Sequence, residues 1–408
     1  MLLIIKIIRK SFKYYISFFI YLILFFFLII SPLIKINFFL ININRIGSFV
    51  SVNLRMQERK MNNLNFNHID IYFYSNEDKH YNIQWLKLWK RKIFIIRQNV
   101  IFNLLYNIIS NNKLFYNMQI KRAKLKFHKN KNEYFKKINY LSQTKNLFIN
   151  FNSQEEILGK KLLKDLGIEK NKFICIHARD EYFLKSLNSQ INWSYHNYRD
   201  SNIINYIKGI QKFSKQEYKI IRMGYKVKEL DKKTINNKNF FDYSNSNVRS
   251  DFNDIYLASK CRFFVCSDCG ISSIPETFNV PIIYTNWIEI NSLYKSATIF
   301  KGIVIFKKFY SNIKKRFLTI NEICDINFSN NYANILKQNN ITLIENTPEE
   351  IYEASYEMEQ RLNNKWIENQ ENNNLQERFW KILGRDYILN KKLYVGSHYL
   401  RSNKFLLN

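Results

Sequence analysis

The chain has 408 residues, with 63 Lys and Arg against 33 Asp and Glu and a formal charge of +30. That length allows two domains with sizeable cores, and 46% hydrophobic with 24% charged residues is a globular mixture that excludes wholesale disorder. Nine Gly and four Pro exclude collagen-like and turn-dense β architectures, and without G-x-G-x-x-G or G-x-x-x-x-G-K-[ST] neither a standard dinucleotide fold nor a P-loop NTPase is indicated.

The charge has a compositional explanation as well as a functional one. Lys, Asn, Ile and Phe are abundant while Ala, Gly and Pro are scarce, the signature of an AT-rich genome, which inflates Lys without selecting for a partner. The functional readings are an anionic membrane surface or an anionic substrate such as a nucleotide. No nucleic-acid partner is expected: the basic residues are scattered, and zinc-finger, bZIP-like and RRM signatures are absent.

From Tyr14 to Ile34 there is no charged residue, a run of 21 that is long enough to cross a bilayer. Apolar residues cover every helical face of it, so it has no side to turn to water. Lys6, Arg9, Lys10 and Lys13 precede it, Lys35 and Arg45 follow, and no small-residue cleavage site ends it. Residues 1–36 are therefore expected to be a membrane anchor. Four positive charges before the run favour a cytoplasmic N-terminus, while five Cys with no paired framework suit a reducing compartment. An interfacial anchor with the body on the cytoplasmic face reconciles the two.

Beyond the anchor, Ile41 to Gly47 reads as a short strand ending at a turn, Ser51 to Asn62 as a helix, and His68 to Tyr74 as a strand followed by the polar turn Ser75 to Asp78. Gln84 to Lys92 reads as a helix and Ile93 to Ile96 as a buried strand. This alternation implies a parallel sheet in a first domain, residues 37–154. The stretch 97–150 is basic, aromatic and mostly helical in pattern.

A second α/β domain is expected over 155–345. It starts with a helix from Glu155 to Leu166, closed by Gly167. Strands are expected at Lys172–His177, Tyr218–Arg222, Phe240–Tyr243, Arg262–Cys266 and Val280–Tyr284, with helices at Asn202–Lys215, Asp251–Lys260 and after Gly270. Thr347-Pro348-Glu349-Glu350 is a helix start, and helices are expected through 346–408.

Candidate chemistry gathers where these strands end, since ligands of open α/β sheets bind beyond the carboxyl ends of the strands. His177-Ala178-Arg179-Asp180 follows one strand and Arg222-Met223-Gly224 another. Asp242 lies at a third, and Ser267-Asp268-Cys269-Gly270-Ile271-Ser272-Ser273 follows a fourth. The last is a turn of small residues into a helix, suited to phosphate, and Arg179 or Arg222 could clamp a diphosphate. The structural alternative is that Ser272 and Ser273 cap a helix while the arginines pair with Asp180, Asp242 or Asp251. Asp200 reads as a helix cap after the polar aromatic run Trp193 to Arg199. Ser250 or Asp251 caps the next helix, and Arg249 points to a site.

Cys261, Cys266 and Cys269 have a C-x₄-C-x₂-C spacing. The four residues between the first two read as a buried strand, which separates its ends by roughly 3.3 Å per residue, too far for one cluster. H-E-x-x-H and G-x-S-x-G are absent. Neither a metal nor any other cofactor is expected.

Taken together, His177-Ala178-Arg179-Asp180, Tyr195-His196-Asn197-Tyr198-Arg199-Asp200, Arg222-Met223-Gly224, Asp242-Tyr243-Ser244-Asn245-Ser246, Arg249 to Ile255 and the segment Cys266 to Pro281 resemble a family of bacterial glycosyltransferases encoded in surface-polysaccharide gene clusters. The Asn44-Arg45-Ile46-Gly47 turn, Trp89-Lys90-Arg91 and the Asn346 to Glu350 helix start also fit. The likeness thus covers most of the chain after the anchor. It implies a GT-B-like α/β fold of two Rossmann-like domains facing a cleft, with the nucleotide-sugar in the second. A more distant likeness to fucosyltransferase-type enzymes, whose His-x-Arg motif holds the donor diphosphate, singles out Arg179. Asp268-Cys269 stands where a Thr/Ser-Ser pair is commoner.

What the resemblance implies is transfer of a sugar from a nucleotide-sugar donor to a glycan or lipid-linked acceptor. The donor set is then His177, Arg179, Arg222, Gly224, Asp242, Arg249, Asp251, Ser267, Asp268, Gly270, Ser272 and Ser273. The acceptor set is Arg45, Gly47, Tyr198 and Arg199. Asp180, Glu181 and His196 are candidates for the general base, with Glu58 a further one from the first domain. The other readings are a binding protein that keeps the fold without activity, and another transferase of the same architecture.

Overall fold

The computed structural model describes residues 2–30, 33–61, 68–75, 81–111, 121–122, 149–169, 172–187, 189–231, 235–290, 293, 302–326, 328, 332–384 and 393–408. The chain divides into two units, residues 1–129 and 130–408.

Unit 1 opens with the helix Leu2–Ile30. Four parallel strands follow: β1 (Lys35–Leu40), β2 (His68–Tyr74), β3 (Phe94–Arg97) and β4 (Lys121–Arg122), in the order β3-β2-β1-β4. Helices Phe49–Met61, Ile83–Lys90 and Val100–Asn111 connect them. β2 lies where its alternation placed it. The preceding strand does not: it is 35–40, not 41–46. The apolar composition of the first helix runs straight into β1 and hides the boundary. Ile41 and Ile43 mimic strand alternation because both are buried in the loop that follows. The polar turn expected at 75–78 lies, after Ser75, outside the described residues, as does most of 112–148.

Two packing features hold unit 1. Trp85 and Trp89, four residues apart on one helix, meet edge to face at 5.8 Å, and Phe49 stacks on Trp89 at 5.6 Å. Asp70, buried in β2, accepts from Asn37 of β1 at 2.9 Å and from Arg55 at 3.1 Å. A buried carboxylate needs that pairing, because desolvation otherwise penalises its charge.

Unit 2 is built on seven parallel strands: β5 (Phe173–His177), β6 (Lys219–Arg222), β7 (Phe240–Phe241), β8 (Phe264–Ser267), β9 (Ile282–Trp287), β10 (Gly302–Phe306) and β14 (Leu393–Val395). Their order is β14-β10-β9-β8-β5-β6-β7. Such strands are buried on both faces, so they read as continuous apolar runs rather than alternations. Every residue of β5, β8, β9 and β10 is buried. The numbering runs one way from β5 to β7 and the other way from β8 to β10. Right-handed crossovers then send helices to opposite faces: Ile207–Ser214, which packs with Pro348–Leu362, to one, and Asp251–Lys260, which packs with Ser153–Asp165 and Ser273–Thr277, to the other. A small antiparallel sheet, β12-β11-β13, is made by β11 (Lys308–Ser311), β12 (Arg316–Phe317) and β13 (Ile341–Ile344). Helices Gln370–Ile382 and Ser397–Ser402 flank β14, so the last sixty residues contribute a strand as well as helices. Two parallel sheets laced with helices behind an apolar N-terminal helix make this an α/β protein, the class expected.

Three of the cap signals in the sequence hold. Thr347 and Glu350 form a reciprocal capping box with Pro348 in the first turn, Ser250 caps Asp251–Lys260, and Gly167 takes a φ of +61° just past the helix Ser153–Asp165.

Candidate functional site

The strand order reverses between β5 and β8, and that point places the candidate residues. In an open α/β sheet the two loops leaving such a pair diverge to opposite faces and leave a crevice. His177-Ala178-Arg179-Asp180 leaves β5 there, and Ser267-Asp268-Cys269-Gly270 leaves β8. The loops are tied together: the Arg179 backbone N–H donates to Ser267 Oγ at 3.0 Å.

Around that tie the fold assembles a polar network. The Arg179 guanidinium donates to Asp200 and, at 3.2 Å, to the His196 carbonyl. Arg199 donates from Nη2 to Asp268 at 2.9 Å, which joins the 3₁₀ segment Ser194–Arg199 to the β8 loop. Lys307, buried just beyond β10, donates to the carbonyls of Tyr198 at 3.1 Å and Asp200 at 2.6 Å. Arg222, the buried last residue of β6, reaches Asp242 at 3.0 Å and the Lys228 carbonyl at 2.7 Å. Asp180 accepts from the backbone N–H groups of Tyr182 at 3.0 Å and Lys228 at 2.8 Å, clipping the loops after β5 and β6 together. Arg249 binds Asp254 at 2.6 Å, lies 3.9 Å from Asp251, and packs over the Tyr225 ring at 4.1 Å. Each of these four guanidiniums thus holds a carboxylate, the arrangement in which arginines pair with neighbouring aspartates. Any anion that binds must take the contact over.

Two expected roles take a different form. Asp200 is not the cap of the next helix; Asn202 is, accepting from the Ile204 N–H at 3.1 Å, which leaves the Asp200 carboxylate for Arg179. Ser272 and Ser273 do not cap. Ser272 donates to the Cys269 carbonyl at 3.0 Å, and Ser273 is buried in a helix of five residues. So short a helix sums little dipole, and the phosphate-binding capacity of this edge rests on the arginines.

His177 donates from Nδ1 to the Met223 carbonyl at 2.9 Å. Gly224 makes that approach possible: it has a φ of +144°, and a Cβ there would stand 2.6 Å from Val227 Cγ1 and 3.2 Å from His177 Nδ1. Burial disfavours the protonated imidazole, but Cys269, the Met223 carbonyl and Asp180 outweigh it and raise the His177 pKa. Burial likewise pushes the Cys269 thiol up, and its hydrogen bonds with Cys266 and His177 carry it well below the ordinary thiol value. Among the remaining carboxylates, burial lifts Asp200 to about 6 against the pull of Arg179 and Lys307. Glu181, exposed and paired with Lys185, is lowered.

The acceptor candidates divide between the units. Arg45 and Gly47 lie at the 3₁₀ turn Ile46–Ser48 of unit 1, while Tyr198 and Arg199 belong to unit 2. Glu58 stands on the helix Phe49–Met61, with its side chain outside the described residues. The rings of Trp193, Tyr195 and His196 stack on one another, Tyr195 and His196 at 4.2 Å, and Tyr198 stacks on Tyr332 at 5.2 Å. Sequence reasoning missed Lys307 and Tyr225, and no local signal marks either. Cys266 and Cys269 come together, but among the described residues no three His, Cys, Asp or Glu side chains are grouped to hold a metal ion.

No protein-family profile matches the chain, and no curated protein does. Among solved structures it is similar to a glycosyl transferase family 9 protein from Veillonella parvula, with 13% identity and a TM-score of 0.41 over 67% of this chain and 85% of that one. At that TM-score the likeness carries no argument about activity.

Proposed function

We propose that the protein is a glycosyltransferase that binds a nucleotide-sugar at the crevice between β5 and β8 and passes the sugar to a glycan or lipid-linked acceptor. The observation that carries this is the position of Arg179. It is the guanidinium at the switch point of a seven-stranded parallel sheet, with its backbone anchored to the β8 loop and its side chain on Asp200. A diphosphate offers the same bidentate geometry as a carboxylate with more charge, so it can displace Asp200. Three of the motifs that carry the resemblance, 177–180, 222–224 and the segment from Cys266, lie at the ends of β5, β6 and β8.

In this reading Arg179 takes the charge that gathers on the diphosphate as the glycosidic bond breaks, with Arg222 and Arg249 holding the loops that frame it. An acceptor hydroxyl needs a base within hydrogen-bond reach. Asp180 spends both oxygens on backbone N–H groups, and the hydrogen bond from Lys185 makes Glu181 a weaker base. His196, whose carbonyl accepts from Arg179 and whose ring packs against Tyr195, is then the candidate from unit 2, and Glu58 the candidate from unit 1. By the resemblance, unit 1 supplies the acceptor side.

The test is a thermal-shift titration of the full chain in detergent against UDP, GDP, CMP and dTDP. One of them at 100 times its dissociation constant should add about 2.7 kcal/mol of stability. Arg179→Ala should abolish that gain, measured from the variant's own unliganded melt, which the loss of the Asp200 partner lowers. No shift with any of the four, from a folded protein, favours the binding-protein reading.

A further inference from the structure

The first helix is long and apolar enough to cross a membrane, yet one of its faces is already used. Ile20 and Leu24 are buried, and Ile16, Phe27 and Leu28 are partly buried, in a cluster with Ile36 and Phe38 of β1, Phe73 of β2, and Phe102, Ile108 and Ile109 of the helix Val100–Asn111. These helix positions step by three and four residues, so they form one stripe. On the opposite side Tyr15, Phe18, Leu22, Phe25 and Ile29 repeat at the same steps, and they are 69, 59, 49, 57 and 63% exposed. Ile101 and Tyr106 add exposed apolar surface from the neighbouring helix Val100–Asn111. A contiguous apolar face of this size does not stay in water.

We infer that this helix is a monotopic anchor: it lies along an anionic lipid surface with its outer face inserted, and its inner stripe is part of the core of unit 1. Two observations select lipid over a protein partner and a lying helix over a spanning one. First, the sequence before Glu58 contains Lys6, Arg9, Lys10, Lys13, Lys35, Arg45 and Arg55 and no Asp or Glu, which complements anionic headgroups, whereas a second copy of the same basic face would repel it. Second, a spanning helix would carry the strands packed on its inner stripe into hydrocarbon. Those strands include Asp70 with its Arg55 and Arg59 partners, and charged groups are costly there. Lying flat, the helix buries only the face that has no partner in the fold. This inference stands independently of the transferase reading.

The test uses the full chain in two formats. In membrane vesicles of both orientations, Lys10→Cys and Lys35→Cys are probed with an impermeant maleimide and read by peptide mass. Both positions should label from the same side, and labelling from opposite sides would establish a span and overturn the inference. In flotation, purified protein should bind vesicles of phosphatidylcholine with phosphatidylglycerol at least tenfold better than phosphatidylcholine alone, with the gain lost in 0.5 M salt. Phe18→Glu with Phe25→Glu should abolish binding while the thermal unfolding profile persists, because neither side chain belongs to the core. Equal binding to neutral vesicles, or release of the wild type as a soluble dimer that the double variant dissociates, would refute the lipid assignment.

Discussion

Arg179 and Asp200 set a competition that pH and mutation can read. Asp200 accepts from the Arg179 guanidinium, which in the proposed reading would bind a donor diphosphate, and burial lifts its carboxyl to about 6. Asp200→Asn keeps the shape and removes the competing charge. It is expected to tighten nucleoside-diphosphate binding about tenfold at pH 7.5, a charged hydrogen bond being worth roughly 1.5–3 kcal/mol. The wild type should gain affinity relative to this variant as pH falls through 6, and an identical pH profile for both would remove Asp200 from the account. Glu276 gives a second titration. Burial lifts it to about 7, and its Oε1 accepts from the Tyr284 hydroxyl at 2.7 Å. An acid whose folded pKa exceeds its unfolded one costs nothing below the unfolded value. Its penalty grows from pH 4.5 to 7 and is complete above. Glu276→Gln keeps the acceptor, so it should raise stability by about 3 kcal/mol at pH 8 and leave it unchanged at pH 4; denaturant melts at the two pH values measure the difference. Residue types at strand ends were visible in the sequence, but their pairings were not. That Arg179 meets Asp200 rather than Asp180 depends on how the 194–200 segment folds back over β5.

At the scale of elements, close approach decides what can change. Gly159 sits where the helix Ser153–Asp165 crosses Tyr256 of Asp251–Lys260, and a Cβ there would stand 2.0 Å from the Tyr256 ring. The ring cannot swing away freely, since its hydroxyl donates to Glu156 at 3.1 Å and Phe151 packs on it at 5.1 Å. Gly159→Ala, ordinarily favourable in a helix, should here cost about 1–3 kcal/mol through overpacking, read as a lowered denaturation midpoint with an unchanged slope. Elements whose signal is local were legible. The Thr347 cap, the Gly167 turn and the apolar strands β5 and β8 all announce themselves within a few residues. Those that depend on distant partners were not. β14 has three residues and exists because β10 offers an edge, Leu393 pairing with Gly302. The segment Ser194–Arg199 reads in the sequence only as a polar aromatic run, because its short 3₁₀ geometry carries no helical periodicity.

At the scale of the molecule, the first helix joins the membrane question to the stability of unit 1. Deleting residues 2–30 would bare Ile36, Phe38, Phe102 and Ile108, which it covers. The truncated chain should therefore lose the cooperative melt of unit 1 or aggregate, while unit 2, which has its own core around the seven-stranded sheet, keeps its transition; calorimetry separates the two. A helix that only tethered the protein would leave both transitions intact. By itself the sequence determined the α/β class, the length and apolarity of the first helix, and the chemical types at the strand ends, because each of these is written in composition and in periods of two to four residues. Only the tertiary structure decided which strands are neighbours, that the sheet reverses between β5 and β8, that Lys307 arrives beside Asp200 from more than a hundred residues away, and that Ile20 and Leu24 of an apparent membrane span belong to the core of unit 1. The physical reason is the same in each case. Hydrophobic and hydrogen-bonding capacity belong to a residue, but the partner that satisfies them is chosen by topology, whose loop-closure cost no local pattern records.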